Sequence, residues 1–487
     1  MKKIHKIMLI TPPYHSGVVE SAGVWLNVGF VYLAGSLRAA GYAPIIYDAM
    51  SHWHKYDEIE KRIRDEKPNV VATTAFTAEI VEALKLLKLA KDIDPEIITV
   101  IGNVHPTFLY KEVLGENDHV DYIVRGEGEE TIVELMNALS SGGSLSNVKG
   151  IAYRDNSEIT ATAQRPFIHD LDSLPMAWDL IDWPIYKYKA MEDSRLAIVS
   201  SSRGCNQQCS FCSQQLFWER NWRGRSAENF VAELEHLRDT YGVNVVMLAD
   251  ETPTLSRSRW EKILDLLIER NVGTKLLLET RVDDIIRDED IMWKYRDALV
   301  DHIYLGVEST SQASLDKFKK NIKVEESKRA LDLINAQDIV TETSFVLGMP
   351  DDTVESMRET VELAKYYNPD LAFFLAIAPW PYSEIYPELK DFVVTKDYSR
   401  YNLVEPVVKP KSMTIQEVTD ELGRAARVYY MHKLDTLDSM TEKKREFMIK
   451  VIHIIATSSY LAETMKGTSM PEEIKKLLGK LKVPHVI

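Results

Sequence analysis

An α/β protein built on two successive parallel sheets is predicted. Its parts are a doubly wound, Rossmann-like N-terminal domain, a partial (β/α)6 TIM-like barrel and a helical C-terminal region. Three observations predict it. Short β-branched runs alternate with helical patterns in residues 1–140. The alternation resumes at Leu196. The only three cysteines among 487 residues follow the first strand of that second series. Strand–helix alternation of this kind gives parallel sheets covered by crossover helices. A chain of this length makes two or three domains.

In residues 1–140 the strands are KIMLIT (6–11), PIIYDA (44–49), NVVATT (69–74), IITVIG (97–102) and VDYIVR (120–125). Between them lie VGFVYLAGSLRAAG, YDEIEKRIRDEK, TAEIVEALKLLKLAKDI and PTFLYKEVL, all with helical spacing. Ligands of such sheets bind beyond the carboxyl ends of the strands, where the strand order reverses. The loops at those ends read TPPYHSG (11–17), TTAFTAE (73–79), GNVHPTF (102–108) and RGEGEET (125–131). Small residues there permit close backbone approach, and helix N-termini offer N–H groups to a phosphate. Residues 141–195 read as a connector with a turn-rich SSGGSLS and a small hairpin in KGIAYRDNSEITATAQRPFI.

The barrel is expected over 196–390. Its six strands are LAIVSSS (196–202), NVVMLAD (244–250), KLLLETR (275–281), HIYLGVE (302–308), IVTETSFVLG (339–348) and LAFFLAIA (371–378). Barrel chemistry sits at the strand C-terminal ends, and the cysteines fall in the first such loop. Residues 391–487 are charged and largely helical in pattern, and are expected to cap the barrel, either for stability alone or to shape substrate access.

A net charge of −15 argues against nucleic-acid binding, which calls for a basic patch. The N-terminus MKKIHKIMLITPPY has too short an apolar run for a signal peptide. FMIKVIHIIATSSYL (447–461) contains Lys450 and His453 and repeats its apolar positions at three and four. It is expected to be a core-packing amphipathic helix, with membrane-surface contact as the alternative, and no transmembrane segment is expected.

Cys205, Cys209 and Cys212 spell C-x3-C-x2-C. Three thiolates cannot close a four-cysteine site, so one corner of a metal centre stays open. An iron–sulfur cluster with three protein ligands can hold a substrate at its fourth iron. Zinc with a histidine as fourth ligand and plain buried thiols are the alternatives, and the nearest downstream histidine, His236, lies outside finger-like spacing. Reduced thiols and an oxygen-labile cluster imply a cytoplasmic, anaerobic setting.

This cysteine spacing resembles the signature of the radical S-adenosylmethionine (SAM) enzymes. The resemblance implies a [4Fe–4S] cluster on Cys205, Cys209 and Cys212, with Phe211 shielding cluster or adenine. It also implies SAM contacts from Asp250, Glu251, Glu279, Arg281, Glu308, Ser309 and Gly348, all at strand ends. LADE departs from the family's Gly-Gly-Glu-like pattern, with Ala249 and Asp250 in place of the glycines. RGEGEET and G-x-x-H-P-T resemble the cobalamin-binding domain that precedes many radical SAM domains. That resemblance implies cobalamin contacts from Tyr14, His15, Thr74, Phe76, Thr77, Gly102, Asn103, His105, Gly126, Glu127 and Gly128. No Asp-x-His-x-x-Gly motif occurs in the chain, so the implied cobalamin is base-off, with no histidine from that motif on cobalt. His15 and His105 read as hydrogen-bonding residues rather than ligands. A cofactor-free Rossmann-like docking module is the alternative for this domain.

CSFCSQQLFW (209–218), MLADETPTLSR (247–257), ETRVDDIIRD (279–288), APWPYSEIYPEL (378–389) and YSRYNLVEPVVKPKSMT (398–414) look like the BchE family, the anaerobic Mg-protoporphyrin IX monomethyl ester cyclases. Two chemistries follow from the resemblance. One is C-methylation of an sp3 carbon, for instance the glutamine of methyl-coenzyme M reductase, through a 5′-deoxyadenosyl radical and methylcobalamin. The other is oxidative cyclisation of a porphyrin ester. A non-catalytic iron–sulfur or cobalamin carrier is the third reading, and the set of SAM contacts argues against it. Trp380, Tyr382 and Tyr386 are candidate substrate contacts for a macrocycle, a peptide or another small molecule. A flavodoxin or ferredoxin is the implied electron donor.

Overall fold

The computed structural model describes residues 4–15, 23–156 and 158–457. Ser16 and Gly17 of the first loop and residues 458–461 of the late apolar run lie outside the described residues.

The first sheet has seven strands: β1 (Lys6–Ile10), β2 (Ala43–Tyr47), β3 (Val70–Thr74), β4 (Ile98–Gly102), β5 (Tyr122–Val124), β6 (Ile151–Asp155) and β7 (Glu158–Ala161), in the order β2-β1-β3-β4-β5-β6-β7. The first five are parallel, and β6 and β7 are antiparallel. Side chains on a strand alternate between faces. Accordingly Met8, Ile10 and Val71 enter one apolar cluster, and Ile7, Leu9 and Val70 enter another. Two cores on opposite faces make the sheet doubly wound. The strand order reverses between β1 and β3, so the loops after those strands flank the binding crevice. The hairpin expected in the connector is β6–β7. It edges this sheet, so the sheet continues past the boundary expected at residue 140.

The second sheet is a row of six parallel strands with two open edges, hence a partial barrel. Its strands are β8 (Leu196–Val199), β11 (Val245–Leu248), β12 (Lys275–Arg281), β13 (Val300–Glu308), β14 (Val340–Leu347) and β15 (Leu371–Ala376), paired in that order. Between β8 and β11, a two-stranded antiparallel ribbon joins β9 (Ser202–Arg203) to β10 (Arg223–Gly224). Capping follows the sequence. Ser226 accepts from Asn229 N–H to start the helix Ala227–Tyr241, and Gly242 at φ 70° ends it. One layer of the barrel is polar where barrels are usually filled with branched apolar residues. Glu279, Tyr304 and Glu342 stand side by side on β12, β13 and β14.

The connector threads between the sheets. Tyr186 Oη donates to Asp48 of the first domain, 2.8 Å, and Trp178 Nε1 donates to Glu233 of the barrel, 2.9 Å. The helix Ile415–Asp435 opens on a Thr414–Glu417 capping box and packs Val418 and Leu422 beside Leu347 and Ala376. This helix thus covers the outside of the barrel at β14 and β15. The irregular stretch before it sends Tyr401, Asn402 and Leu403 into the central cavity. Among the described residues no helix is long and apolar enough to cross a membrane.

Candidate active site

Gly204 starts the cysteine loop with φ 89°, and a Cβ there would lie 1.9 Å from Asn221 O, so only glycine fits. The loop then turns on itself, with Cys212 N–H donating to Cys209 O at 3.1 Å, and Ser210 N–H is held by Phe318 O at 2.9 Å. Cys205, Cys209 and Cys212 all open into one cavity of about 540 Å³, which Arg281 and Lys320 also line. Thr252 Oγ1 lies 3.5 Å from Cys205 Sγ, and Arg281 Nη1 lies 4.0 Å from Cys209 Sγ. Cys212 is partly open to the cavity, and burial of the rest of the side chain pushes its thiol up to about 12. Among the described residues no three ligating side chains are already drawn together at metal-binding distances. The structure supplies the donor set, three thiols with a shared opening beside two cations, and these fit a cluster with one open iron.

The strand ends complete the wall. Phe211, Glu251, Glu279, Arg281 and Glu308 line the cavity. Arg281 is held by Asp283, 2.9 Å, and by Lys320 O, 3.0 Å. Lys320 Nζ pairs with Glu308 at 2.9 Å, both side chains being about nine-tenths buried. A Cβ on Gly306 would sit 2.7 Å from Lys320 Nζ and 2.9 Å from Glu308 Oε1, so a side chain there would push this pair aside. Glu308 itself has φ 65°, a strained conformation of the kind that gathers at functional sites. Glu251 accepts from Gly204 N–H, 2.8 Å, and from Trp218 Nε1, 2.6 Å.

Three members of the SAM set do not line the cavity. Asp250 is turned into the protein, where it accepts from Ser201 N–H, Ser201 Oγ and Ser202 Oγ. Ser309 Oγ accepts from Ser311 N–H, and Gly348 packs on Val418 while its N–H donates to Asp352.

Glu279 is deep in the barrel but open to the cavity, and among the described residues no protein group donates to it. Burial, reinforced by Glu342, Glu251 and Glu308, pushes its carboxyl up to about 7. Between the ordinary glutamate range and about pH 7 the folded protein holds a proton that the unfolded chain has released, so stability falls as pH rises through that window. Glu279→Gln is expected to raise the melting temperature of the cofactor-free protein above about pH 7 and to leave it unchanged below the ordinary glutamate range. Equal shifts at both ends would show that Glu279 does not titrate there.

From the first domain the cavity receives Tyr14, Phe76 and Thr77. Thr77 Oγ1 bonds Tyr382 Oη across the domain boundary at 2.6 Å, and His105 Nδ1 reaches the Thr77 hydroxyl at 3.2 Å. Tyr382 stacks on Phe108, centroids 4.8 Å apart. Burial drops His105 to about 4, so it is neutral at physiological pH. His15 stacks on Trp53 at 3.9 Å. Asn103 Nδ2 donates to Thr74 Oγ1, 2.9 Å, tying the loops after β3 and β4. Gly102 lies at the end of β4, outside the cavity wall. Gly126 has φ 75° with open space where a Cβ would stand, whereas Gly128 is pressed against Leu33. Glu127 is tied into ion pairs away from the cavity.

Trp380 and Tyr382 line the cavity, but Tyr386 lines a neighbouring space of about 700 Å³ with His105, and Tyr401 borders both. Sequence reasoning missed Lys320, which sits in the basic run KFKKNIK (317–323) and reads there as a solvated charge. It also missed Gln207, Gln214 and Asn402, amides that carry no motif signal.

Residues 14–136 match the B12 binding domain family and residues 199–364 match the radical SAM superfamily. The chain is 39% identical to the anaerobic magnesium-protoporphyrin IX monomethyl ester cyclase of Rubrivivax gelatinosus, over 88% of this chain and 78% of that one. It is 30% identical to an uncharacterized methyltransferase of Pyrococcus horikoshii, over 88% of this chain and 93% of that one. Its fold is similar to that of the radical SAM methyltransferase TsrM from Kitasatospora setae, solved with cobalamin and a [4Fe–4S] cluster. There the TM-score is 0.66 at 16% identity, over 85% of this chain and 84% of that one. The chain therefore belongs to the cobalamin-binding radical SAM enzymes, in the family of the anaerobic magnesium-protoporphyrin IX monomethyl ester cyclases, with cobalamin, a [4Fe–4S] cluster and SAM as its cofactors.

Proposed function

We propose that this enzyme is a C-methyltransferase acting on an unactivated sp3 carbon next to a neutral polar group, such as a glutamine side chain. The carrying observation is that one cavity is walled both by Tyr14, Phe76 and Thr77 of the B12-binding domain and by the three cysteines of the barrel. When bound, the cluster and SAM supply a carbon-centred radical, and methylcobalamin supplies the methyl group.

The chain's own residues then divide the work. Cys205, Cys209 and Cys212 would hold the cluster. Arg281 offers a planar cation to the SAM carboxylate. Glu279 and the Lys320–Glu308 pair would face the rest of SAM. Phe76 and Tyr14 would meet bound cobalamin, and the Thr77–Tyr382 bond ties the two domains together beside it. The chemistry of the wall favours methylation over porphyrin cyclisation. Among the described residues no histidine lines the cavity to meet a porphyrin magnesium. Gln207, Gln214 and Asn402 instead offer neutral amide donors and acceptors. The similarity to the Pyrococcus methyltransferase supports the same reading, and the similarity to the cyclases supports the alternative.

The reconstituted enzyme, incubated anaerobically with SAM and a reductant, separates the two. A glutamine-containing peptide from methyl-coenzyme M reductase is expected to gain one methyl group. An oxidised or cyclised Mg-porphyrin ester, with the peptide unchanged, would make the enzyme a cyclase.

A further inference from the structure

Glu127 belongs to the loop that resembles a cobalamin contact, yet its carboxylate points at the barrel. Its Oε1 accepts from Arg203 Nη1 at 2.8 Å and from Arg223 Nη1 and Nη2 at 3.1 Å. Its Oε2 accepts from Arg223 Nη1 at 3.0 Å and from Ile168 N–H at 2.7 Å. Glu129 adds a 2.6 Å bond to Arg203 Nη2. The Glu127 side chain is 2% exposed, and both arginine side chains are about nine-tenths buried. Charge-assisted, forked pairs of this kind fix geometry as well as add energy.

The two arginines are not incidental partners. Arg203 lies on β9 and Arg223 on β10, which pair directly with each other, and Gly204 and Cys205 follow Arg203 in the chain. One carboxylate of the first domain therefore grips both strands of the ribbon from which the cluster loop springs. The grip continues toward the cavity. The Arg223 guanidinium lies 5.5 Å from the Trp218 ring, and Trp218 Nε1 bonds Glu251.

We infer that Glu127 is a positioning residue that locks the cysteine loop of the barrel to the cofactor loop of the first domain and so sets the separation between cluster and cobalamin. Misplacement of reacting centres by about 1 Å can cost about a hundredfold in rate, so a buried clamp at this joint governs how much of the generated radical ends in product. The inference rests on the cofactors of the family and not on the substrate proposed above.

The test uses Glu127→Gln in the full chain. In the cofactor-free protein, hydrogen exchange at the amides of residues 203–212 is expected to quicken at least about tenfold, with exchange in β1 and β3 unchanged. In the protein loaded with cluster and cobalamin, iron and cobalamin contents are expected to stay at wild-type levels. The magnetic interaction between cob(II)alamin and the reduced cluster, read by pulsed electron paramagnetic resonance, is expected to broaden into a spread of distances. If Glu127→Gln does not fold, Arg203→Lys keeps the charge and the Glu127–Arg223 pair while removing one fork, and the same two readouts apply. An unchanged, narrow distance distribution in whichever variant folds would overturn the inference, whatever substrate the enzyme proves to use.

Discussion

Cys209→Ala is expected to abolish radical chemistry while leaving cobalamin binding intact. Cys209 is the middle thiol of the loop and the one beside Arg281, 4.0 Å away. Two remaining thiols cannot hold a cluster that needs three protein ligands to present a single open iron. The reconstituted variant should lose the cluster's visible absorbance and low-temperature paramagnetic signal. Its 5′-deoxyadenosine production should fall at least about a thousandfold, because the cofactor carries the hard chemistry and the protein cannot replace it. Cobalamin content, measured separately, should match wild type, since the B12-binding region at residues 14–136 lies on a different sheet from the cysteine loop. Wild-type 5′-deoxyadenosine yield in the variant would remove the cysteines from the mechanism.

Arg225→Ala carries the largest expected loss of stability. Arg225 and Glu233 form an ion pair with both side chains 3% exposed. Arg225 also donates to Ser200 O at 3.1 Å and to Asn229 Oδ1 at 2.9 Å, while Glu233 accepts from Trp178 Nε1 of the connector. Removing the arginine strands a buried carboxylate, which costs about 3–5 kcal/mol. Replacing both partners with apolar residues of similar volume is expected to recover most of that loss. Urea unfolding followed by tryptophan fluorescence reads the difference. A loss below about 1 kcal/mol for the single variant would show that water reaches Glu233 and compensates it.

Much of the architecture was legible in the sequence because parallel-sheet strands announce themselves. KLLLETR was expected over 275–281 and is β12, and the other five barrel strands fall within a few residues of their β-branched runs. The cysteine loop was legible for another reason: three thiols at fixed spacing have few other uses. What escaped was long-range placement. Glu127 reads as part of a loop, and only the fold brings Arg203 and Arg223, which lie 76 and 96 positions along the chain, onto its carboxylate. Asp250 follows a strand at the expected site, but the neighbouring Ser201 and Ser202 hydroxyls draw it inward. Tyr386 lies six residues after Trp380, and the turn between them carries it into the next cavity. Lys320 looks like one more surface lysine until the chain folds it against Glu308.

Isotopes report whether one cavity serves both cofactors. The enzyme would be given SAM carrying a deuterated methyl group, together with a substrate deuterated at the target carbon. The expected outcome is a product bearing the intact CD3 group, S-adenosylhomocysteine in equal amount, and substrate deuterium recovered in 5′-deoxyadenosine. A methylated product with no deuterium in 5′-deoxyadenosine would mean that the cluster's radical never touches the substrate, and would contradict the reading of this cavity as the shared site of both cofactors.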